Sequence, residues 1–474
     1  MSESNAGVVS RVPWARATLR LPAAPVVLPL WEVAAIALLT PLLLSLAIWN
    51  GFPFTFYDTG AYILQGFANF FVPERAAAYS YFLRFAGAQN SLWWVAATQT
   101  AIVAFVMVEF VRTEAPQTSL WRLLGIGAFL CLFTSIGWVS PEIEPDCFTA
   151  VVVLTAWLLG FRARQLGWLR SILLIAASGL AIASHPSHLG LAAGLVLLMA
   201  SYAAVSYNRA ALLRANPLLP LVSFALGIGL VLTANYALTK HVFLTRSGPV
   251  FMTARMIEDG VAKRVLDDTC PGSGFVLCRY KDHLPKTADD FLWEPPSPFN
   301  KMGRFRGSAR EAQAIMMQGF ARYPLREAGA MLWNGARQFL MFRTGDGVAS
   351  QLWVLGTEFR NFLPRQMKAY SLARQQREAF SFVLLNIVHV GLAALALFAL
   401  AALVWNGMKR RAWKEITLPG FILLALLGNA LVCGATSGPH DRYQGRLIWV
   451  PVFVVILTGG STLLSLRRRE ESGT

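Results

Sequence analysis

Ten long apolar runs constrain the fold of this chain more than any other feature of its sequence. They cover approximately residues 26–49, 91–111, 122–140, 146–161, 169–185, 188–207, 218–239, 380–404, 416–436 and 447–466. A helix of about 20 apolar residues is long enough to cross a bilayer. Since 55% of the 474 residues are hydrophobic and only 14% are charged, the chain is too apolar for a soluble protein of its length. The sequence therefore predicts an all-α polytopic membrane protein with about ten transmembrane helices.

The runs divide the chain into five parts. These are a cytoplasmic tail at 1–25, a transmembrane core of seven spans at 26–240 with a first external loop at 51–90, an external domain at 241–379, spans eight to ten at 380–466, and a second cytoplasmic tail at 467–474. The external domain is predicted to be mainly helical, because residues 310–321 and 325–342 carry apolar residues at helical spacing. The half-apolar first loop is predicted to contain one or two short helices.

The basic residues orient the chain in the membrane. With ten spans both termini lie on one side, and the tails and short loops of that side carry 17 Lys and Arg residues. The short loops of the opposite side carry 4, namely Arg75, Arg84, Arg442 and Arg446. Because basic residues favour the cytoplasmic side, both termini are predicted to be cytoplasmic, in a membrane of the bacterial inner-membrane type. The net charge of +16 therefore reflects membrane topology, and no nucleic-acid partner is predicted.

The five cysteines fall into two groups. Cys270 and Cys278 lie in the predicted external domain, where an oxidising compartment would join them in a disulfide; the alternative is two unrelated free thiols. Cys131, Cys147 and Cys433 lie within or at the ends of apolar runs and are expected to be small packing residues.

Four groups of polar residues lie at breaks between apolar runs, all on the predicted external side. They are Asp58 in the stretch from Tyr57 to Tyr62, then Glu142, Glu144 and Asp146, then His185 and His188, and finally His440, Arg442 and Arg446. The predicted topology brings all four groups to the external, periplasmic face, where we expect an active site.

Each group has a structural explanation beside the functional one. An acid at the start of a helix, such as Asp146, can be explained by helix capping alone, and histidines at span ends are often structural. Three carboxylates so close together repel one another, however, unless a cation, a substrate or a proton relieves them. Two histidines three residues apart bind a metal only if a further ligand completes the set. Arg442 and Arg446 suit a phosphate or pyrophosphate, or else extend to the membrane interface.

The order of these motifs resembles that of the glycosyltransferase C superfamily of membrane enzymes. Asp58 lies soon after the first span in a Tyr-Asp-Thr-Gly-Ala-Tyr sequence, and residues 75–83 look like a degraded Arg-Pro-Pro-x-Tyr-Pro-x-x-Leu stretch. An acidic turn leads into the fourth span at Asp146, and residues 441–451, Asp-Arg-Tyr-Gln-Gly-Arg-x-x-x-x-Pro, look like the late external loop of such enzymes. The expected prolines are missing at 76–80, which puts the local helix geometry in doubt.

The resemblance implies a sugar donor carried on polyprenyl phosphate, a lipid or glycan acceptor in the cell envelope, and inverting transfer on the external face. It implies that Asp58 is the general base. The residues expected to bind substrate are Tyr57, Tyr62, Glu142, Glu144, Asp146, His185, His188, His440, Arg442 and Arg446. No cofactor is required by the resemblance, and a divalent cation near the acidic turn stays open.

Two other classes of function compete with this one. A transporter or lipid flippase is expected to carry ionisable groups in the middle of its spans. Here they are few, since Glu32 and Glu109 lie near span ends and only His389 lies deeper. A non-catalytic scaffold would not need Asp58. A serine-dependent acyltransferase lacks support, because no Gly-x-Ser-x-Gly turn is present.

Overall fold

A computed structural model of the chain describes residues 28–207 and 209–459, and every regular element in these ranges is helical. The described residues do not include the predicted cytoplasmic tails, residues 26–27 of the first predicted span or residues 460–466 of the last. In the first half the longer helices are α1 (Leu30–Asn50, interrupted at Leu44), α2 (Thr59–Ala68), α3 (Ala77–Phe85), α4 (Leu92–Glu114), α5 (Leu120–Phe133), α6 (Phe148–Phe161), α7 (Trp168–Ser184), α8 (Pro186–Ser206) and α9 (Leu218–Thr239). Short helical turns lie at Ile136–Val139, Pro145–Cys147 and Ala163–Gln165.

The segment predicted to be external is also helical. Its longer helices are α10 (Gly248–Glu258), α11 (Val261–Thr269), α12 (Ala309–Arg322), α13 (Pro324–Phe339) and α14 (Leu352–Phe362). Shorter ones are Val276–Tyr280, Ala288–Trp293, Pro298–Lys301, Arg304–Gly307, Pro364–Gln366, Met367–Leu372 and Gln375–Arg377. Cys270 and Cys278 form a disulfide, with Cα atoms 5.6 Å apart. Apolar residues between Val250 and Ile315 form a core of their own.

The chain ends in three long helices. They are α15 (Val383–Lys409), α16 (Trp413–Thr436) and α17, described over 449–459, with the short helix Asp441–Gly445 before α17. A helix is therefore present in each of the ten apolar runs, and the first loop contains two, α2 and α3. Six helices, α1, α4, α8, α9, α15 and α16, are long and apolar enough to cross a membrane, and the shorter α5, α6 and α7 are apolar as well. The chain is a helical integral membrane protein.

The helix in the third apolar run ends earlier than the sequence predicts. The predicted span reaches residue 140, but α5 ends at Phe133, where Thr134 adopts an extended conformation. The Ser135 hydroxyl donates to the carbonyl of Gly445, 2.5 Å away. The apolar residues that follow form a separate turn whose Trp138 packs on Phe54, with ring centroids 5.2 Å apart. A tertiary contact thus ends the helix where hydropathy alone would continue it.

Helix α6 is the centre of the bundle. Every residue from 148 to 160 is buried, and α6 contacts α4, α7, α8, α9 and α16. A helix that is apolar on all sides is buried on all sides, which explains this position. Asp146 lies just before the start of α6. Its carboxylate therefore lies at the centre of one end of the bundle, among the ends of the neighbouring helices.

Glu327 on α13 provides a test of the packing in the external segment. Its side chain is buried, and neither carboxylate oxygen has a hydrogen-bond partner among the described residues. Burial, with Asp259 nearby, raises the pKa of Glu327 from 4.5 to about 7, although Arg255 opposes the shift. A carboxylate whose pKa is raised by folding contributes its full stabilisation at pH values below its pKa in the unfolded chain. That contribution is lost as the pH rises through its pKa in the folded protein.

We therefore expect the thermal unfolding midpoint in detergent to fall as pH rises from about 4.5 to about 7, and Glu327→Gln to flatten this part of the profile. The exposed Glu294 supplies the control, since Glu294→Gln should leave the profile as it is in the wild type. Equal slopes for the wild type and Glu327→Gln would show that Glu327 does not titrate in this range.

Candidate functional site

Five charged side chains from four parts of the chain form one ion-pair network. Arg446 Nη1 lies 2.8 Å from Asp146 Oδ1. Arg442 lies between the two acids, with Nε 3.5 Å from Asp146 Oδ2 and Nη2 3.8 Å from Asp58 Oδ2. On the far side, Arg75 Nη2 donates to Asp58 Oδ1. The network thus runs from Arg75 through Asp58, Arg442 and Asp146 to Arg446.

Backbone contacts between two loops place Asp58 beside the acidic turn. The Ile143 amide donates to the Phe54 carbonyl at 2.8 Å. The Thr59 hydroxyl accepts from the Phe56 amide at 2.9 Å and donates to the Ile143 carbonyl at 3.0 Å. These bonds join the loop after α1 to the loop before α6, which is why two acids 88 positions apart in the sequence share one arginine.

The external segment holds Arg442 in place. The Asp346 carboxylate accepts from the Arg442 amide at 3.0 Å, and the guanidinium lies 4.0 Å from the centre of the Phe56 ring. Two further bonds hold the same loop, because Gln338 donates to the His440 carbonyl and accepts from its amide, both at 2.8 Å. A guanidinium stacked on an aromatic ring keeps its donors free for other ligands.

Arg446 is fully buried, and its other contacts come from the ends of α8 and α16. Its Nη2 donates to the Ser187 hydroxyl at 2.9 Å and lies 3.3 Å from both Asn429 Oδ1 and Cys433 Sγ. The Ser187 hydroxyl also bonds His185 Nδ1 at 2.7 Å, and the Ser187 amide donates to the same nitrogen at 3.1 Å. His185 is therefore the N-cap of α8 and reaches the network through Ser187.

Glu142 and Glu144 lie in the same turn as Asp146 but have no ion-pair partner in the described chain. Burial, reinforced by Asp146, raises the pKa of Glu142 to about 8. Burial and the nearby Asp58 raise the pKa of Glu144 well above its ordinary value. Neither carboxylate oxygen of Glu144 has a hydrogen-bond partner among the described residues. A raised pKa favours the protonated carboxyl group, which can donate a hydrogen bond to a ligand.

This protonation state gives a prediction. Glu144→Gln should change the free energy of unfolding by no more than about 1 kcal/mol, because a protonated Glu144 and a glutamine are both neutral, unpaired polar groups. Thermal unfolding in detergent at pH 7 would check this, with Glu142→Gln as a comparison. A much larger loss for Glu144→Gln would show that the carboxylate is charged and paired.

The remaining predicted site residues have different surroundings. Tyr62 is buried with its ring 4.8 Å from that of Tyr79, and burial together with Glu144 raises its pKa. Tyr57 is 43% exposed and contacts the rings of Phe56 and Trp353. Both lie next to Asp58 in the sequence, but only Tyr62 faces the buried carboxylates.

The other two histidines have partners away from Asp58. His188 bonds the Thr149 hydroxyl and the Ala181 carbonyl, both at 2.7 Å, which accounts for both of its ring nitrogens. His440 Nε2 lies 3.3 Å from Asp289 Oδ2, and this contact raises the pKa of His440. The structure thus gives His188 a packing role inside the bundle and makes His440 a link between the external segment and the loop of Arg442.

A cleft adjoins the network. Its polar lining includes Arg75, His185 and Asn235, and most of the other lining residues are apolar, among them Val231 and Phe243. Since Arg75 also bonds Asp58, the cleft ends beside the predicted base. In the described residues no group of three or more His, Cys, Asp or Glu side chains is arranged to hold a metal ion.

The acids near the ends of the spans form a separate cluster. Arg170 lies 2.8 Å from Glu32 Oε2 and 3.2 Å from Glu109 Oε1, and Arg112 lies 2.9 Å from Glu109. These residues come from the start of α1, the end of α4 and the start of α7, whereas the network at Asp146 lies at the end of α1 and the starts of α6 and α8. The two clusters therefore lie at opposite ends of the bundle.

One residue of the network, Arg75, and three residues that contact its arginines were not among the site residues predicted from the sequence. Ser187 lies in the His-Pro-Ser-His turn already singled out, and Asp346 lies between two glycines with positive φ, a pattern that indicates a constrained turn. Asn429 lies inside the ninth apolar run. A polar residue inside a span frequently has a buried partner, and that was the available signal.

The fold and the network define a helical integral membrane protein with a buried carboxylate–guanidinium site where the ends of α1, α6, α8 and α16 meet. No protein-family model, curated protein or solved structure matches the chain.

Proposed function

We propose that this protein is a membrane glycosyltransferase that moves a sugar from a polyprenyl-phosphate donor to a lipid or glycan acceptor, with inversion and with Asp58 as general base. The observation that carries the proposal is the network itself. Two carboxylates and three guanidinium groups lie side by side next to an apolar cleft, and this combination suits an acceptor hydroxyl, a leaving phosphate and a lipid chain.

The chemistry needs a base on one side of the sugar carbon and cations on the other. Asp58 takes the proton of the acceptor hydroxyl while the acceptor oxygen bonds to the sugar C1. The bond from C1 to the phosphate oxygen breaks, and polyprenyl phosphate leaves with the electron pair. Arg442 suits the leaving phosphate, because its contacts to the two aspartates, at 3.5 and 3.8 Å, are longer than direct hydrogen bonds.

The neutral carboxyl groups of Glu142 and Glu144 would bind hydroxyl groups of the acceptor or the sugar. The cleft beside Arg75 would take the first isoprene units of the donor, since its lining is mainly apolar and opens next to the base. No step in this scheme needs a metal ion.

The proposal includes a topology of ten spans with both termini in the cytoplasm, an external domain at 241–379 and a site on the periplasmic face. It is supported by the helix in each apolar run and by the excess of Lys and Arg in the loops of the opposite side. A site outside the cytoplasm also explains the donor, because a lipid-linked sugar is presented from the bilayer whereas nucleotide sugars are cytoplasmic.

The test is covalent transfer of radiolabelled sugar by membranes containing the protein, supplied with a panel of sugars on polyprenyl phosphate and, in parallel, on nucleotides. We expect label in a new product from at least one lipid donor and from none of the nucleotides. Membranes lacking the protein are the control. Movement of the lipid between leaflets without any covalent product would instead favour a transporter, and no difference from the control membranes would favour a scaffold.

A further inference from the structure

Helix α13 has an apolar face that no part of the described chain covers. One face of the helix is buried and carries Glu327, Asn334, Gly335 and Gln338. The opposite face carries large apolar side chains that are 64 to 88% exposed, namely Leu325, Leu332, Trp333 and, just past the end of the helix, Leu340. Their spacing of seven or eight residues places them along one stripe. An exposed apolar stripe of this length indicates an interaction surface.

The buried face of α13 packs against α16, which is long and apolar enough to cross a membrane. The two helices touch at their backbones, because a Cβ atom on Gly434 would lie 2.5 Å from the Asn334 carbonyl oxygen. A Cβ atom on Gly335 would likewise lie 2.5 Å from a methyl group of Leu431. The contact between α13 and α16 is as extensive as that between α7 and α9 within the bundle.

The order of the contacts gives the direction of α13. Gly335 lies opposite Leu431, Gly434 lies between Asn334 and Gln338, and Gln338 bonds His440, so the two helices run in the same direction. The start of α13 therefore points back along α16 toward the middle of that helix. At this register Ala328 is level with Leu424, a residue of α16 that is itself 48% exposed. The apolar stripe of α13 thus continues the outer apolar surface of a membrane helix.

The charges on α13 are of one sign where they are exposed. Arg326 and Arg337 are exposed, whereas Glu327, the one acidic residue of the helix, is buried. Arg337, near the end of α13, can extend its side chain to the phosphates of lipid headgroups while the stripe enters the acyl region. A soluble partner would explain the apolar stripe, but it would not explain the continuity with α16.

We propose that α13 enters the bilayer alongside α16, from the side where α16 ends, with its exposed stripe against the acyl chains of the lipid. The segment between α9 and α15 is then anchored to lipid by a helix of its own as well as by the spans that flank it. The inference does not depend on the reaction proposed above.

The test uses purified protein in liposomes that contain anionic lipid. Leu325→Cys and Leu332→Cys place single thiols on the stripe, and Asp282→Cys places one on a side chain of the same segment that is 65% exposed. The native free cysteines are buried, so they add little background. A charged, membrane-impermeant maleimide should label the two stripe thiols about tenfold more slowly than the Asp282→Cys thiol, although Leu325 is the more exposed residue in the protein alone.

A spin label on the same thiols shows whether lipid or protein covers the stripe. In nanodiscs holding one copy, the stripe positions should collide more often with oxygen than with a water-soluble nickel complex, and Asp282→Cys should show the reverse. Equal maleimide rates at all three positions would overturn the proposal, because the stripe would then face water. Low collision with both reagents would also overturn it, because the stripe would then be covered by protein.

Discussion

Membranes carrying Asp58→Asn should transfer sugar about 10²–10⁴-fold more slowly than wild-type membranes at equal protein levels, because the variant lacks the proposed general base for the acceptor hydroxyl. Asparagine has nearly the same size as aspartate and can still accept a hydrogen bond from Arg75, so the site keeps its shape. The measurement is the initial rate of covalent transfer with the donor identified by the panel experiment. The thermal unfolding midpoint, measured in parallel, separates loss of the base from loss of folding caused by the broken Arg75 ion pair.

Two variants make the result specific. Asp282→Asn removes a carboxylate that is 65% exposed and far from the network, and it should transfer at the wild-type rate. Asp58→Glu keeps a base but displaces it by one methylene group, so its rate should fall between those of the wild type and Asp58→Asn. If Asp58→Asn transferred sugar as fast as the wild type, another residue would be the base, and the assignment of Asp58 would fail even with the transferase class retained.

The largest expected effect on stability is that of Arg446→Ala, which should cost about 3–5 kcal/mol because it leaves the buried carboxylate of Asp146 without its closest partner. Arg446 is fully buried, and it also bonds Ser187 and Asn429 across two helix ends. Thermal or denaturant unfolding in detergent would measure the loss. Arg365→Ala, at an exposed arginine, is the matched control and should have little effect.

A double variant separates the ion pair from the other contacts of the arginine. Asp146→Asn combined with Arg446→Met removes both charges, and the pair should be less destabilised than the sum of its single variants. Additive losses would mean that Asp146 and Arg446 are stabilised independently. In that case the network would be a set of neighbours and not a coupled unit.

The sequence predicted much of this structure, because hydropathy is a local signal. Each apolar run contains a helix, the first loop contains α2 and α3, and the helices of the external segment include α12 and α13 near their predicted positions. The span count and the side on which each loop lies stay predictions. The predicted end of the third span at residue 140 was wrong, because α5 ends at Phe133. The contacts of Ser135 and Trp138 that end the helix come from distant parts of the chain.

The site could be predicted in part for the same reason. Polar residues at span ends identified Asp58, Asp146, Arg442 and Arg446, and the fold brings these four together. Their individual surroundings depend on contacts that no local pattern contains. The sequence did not distinguish the paired Asp146 from the unpaired Glu144 two residues earlier, nor did it show that His188 has both ring nitrogens engaged inside the bundle.

The bond between Asp146 and Arg446 joins residues 300 positions apart. A chain emerging from the ribosome places Asp146 in the membrane long before Arg446 exists, so an early intermediate holds a buried carboxylate without its cation. That acid must stay protonated, hydrated or bound by another factor until the last helix enters the bilayer. A protein truncated before residue 446 would therefore lack the cation that pairs with Asp146.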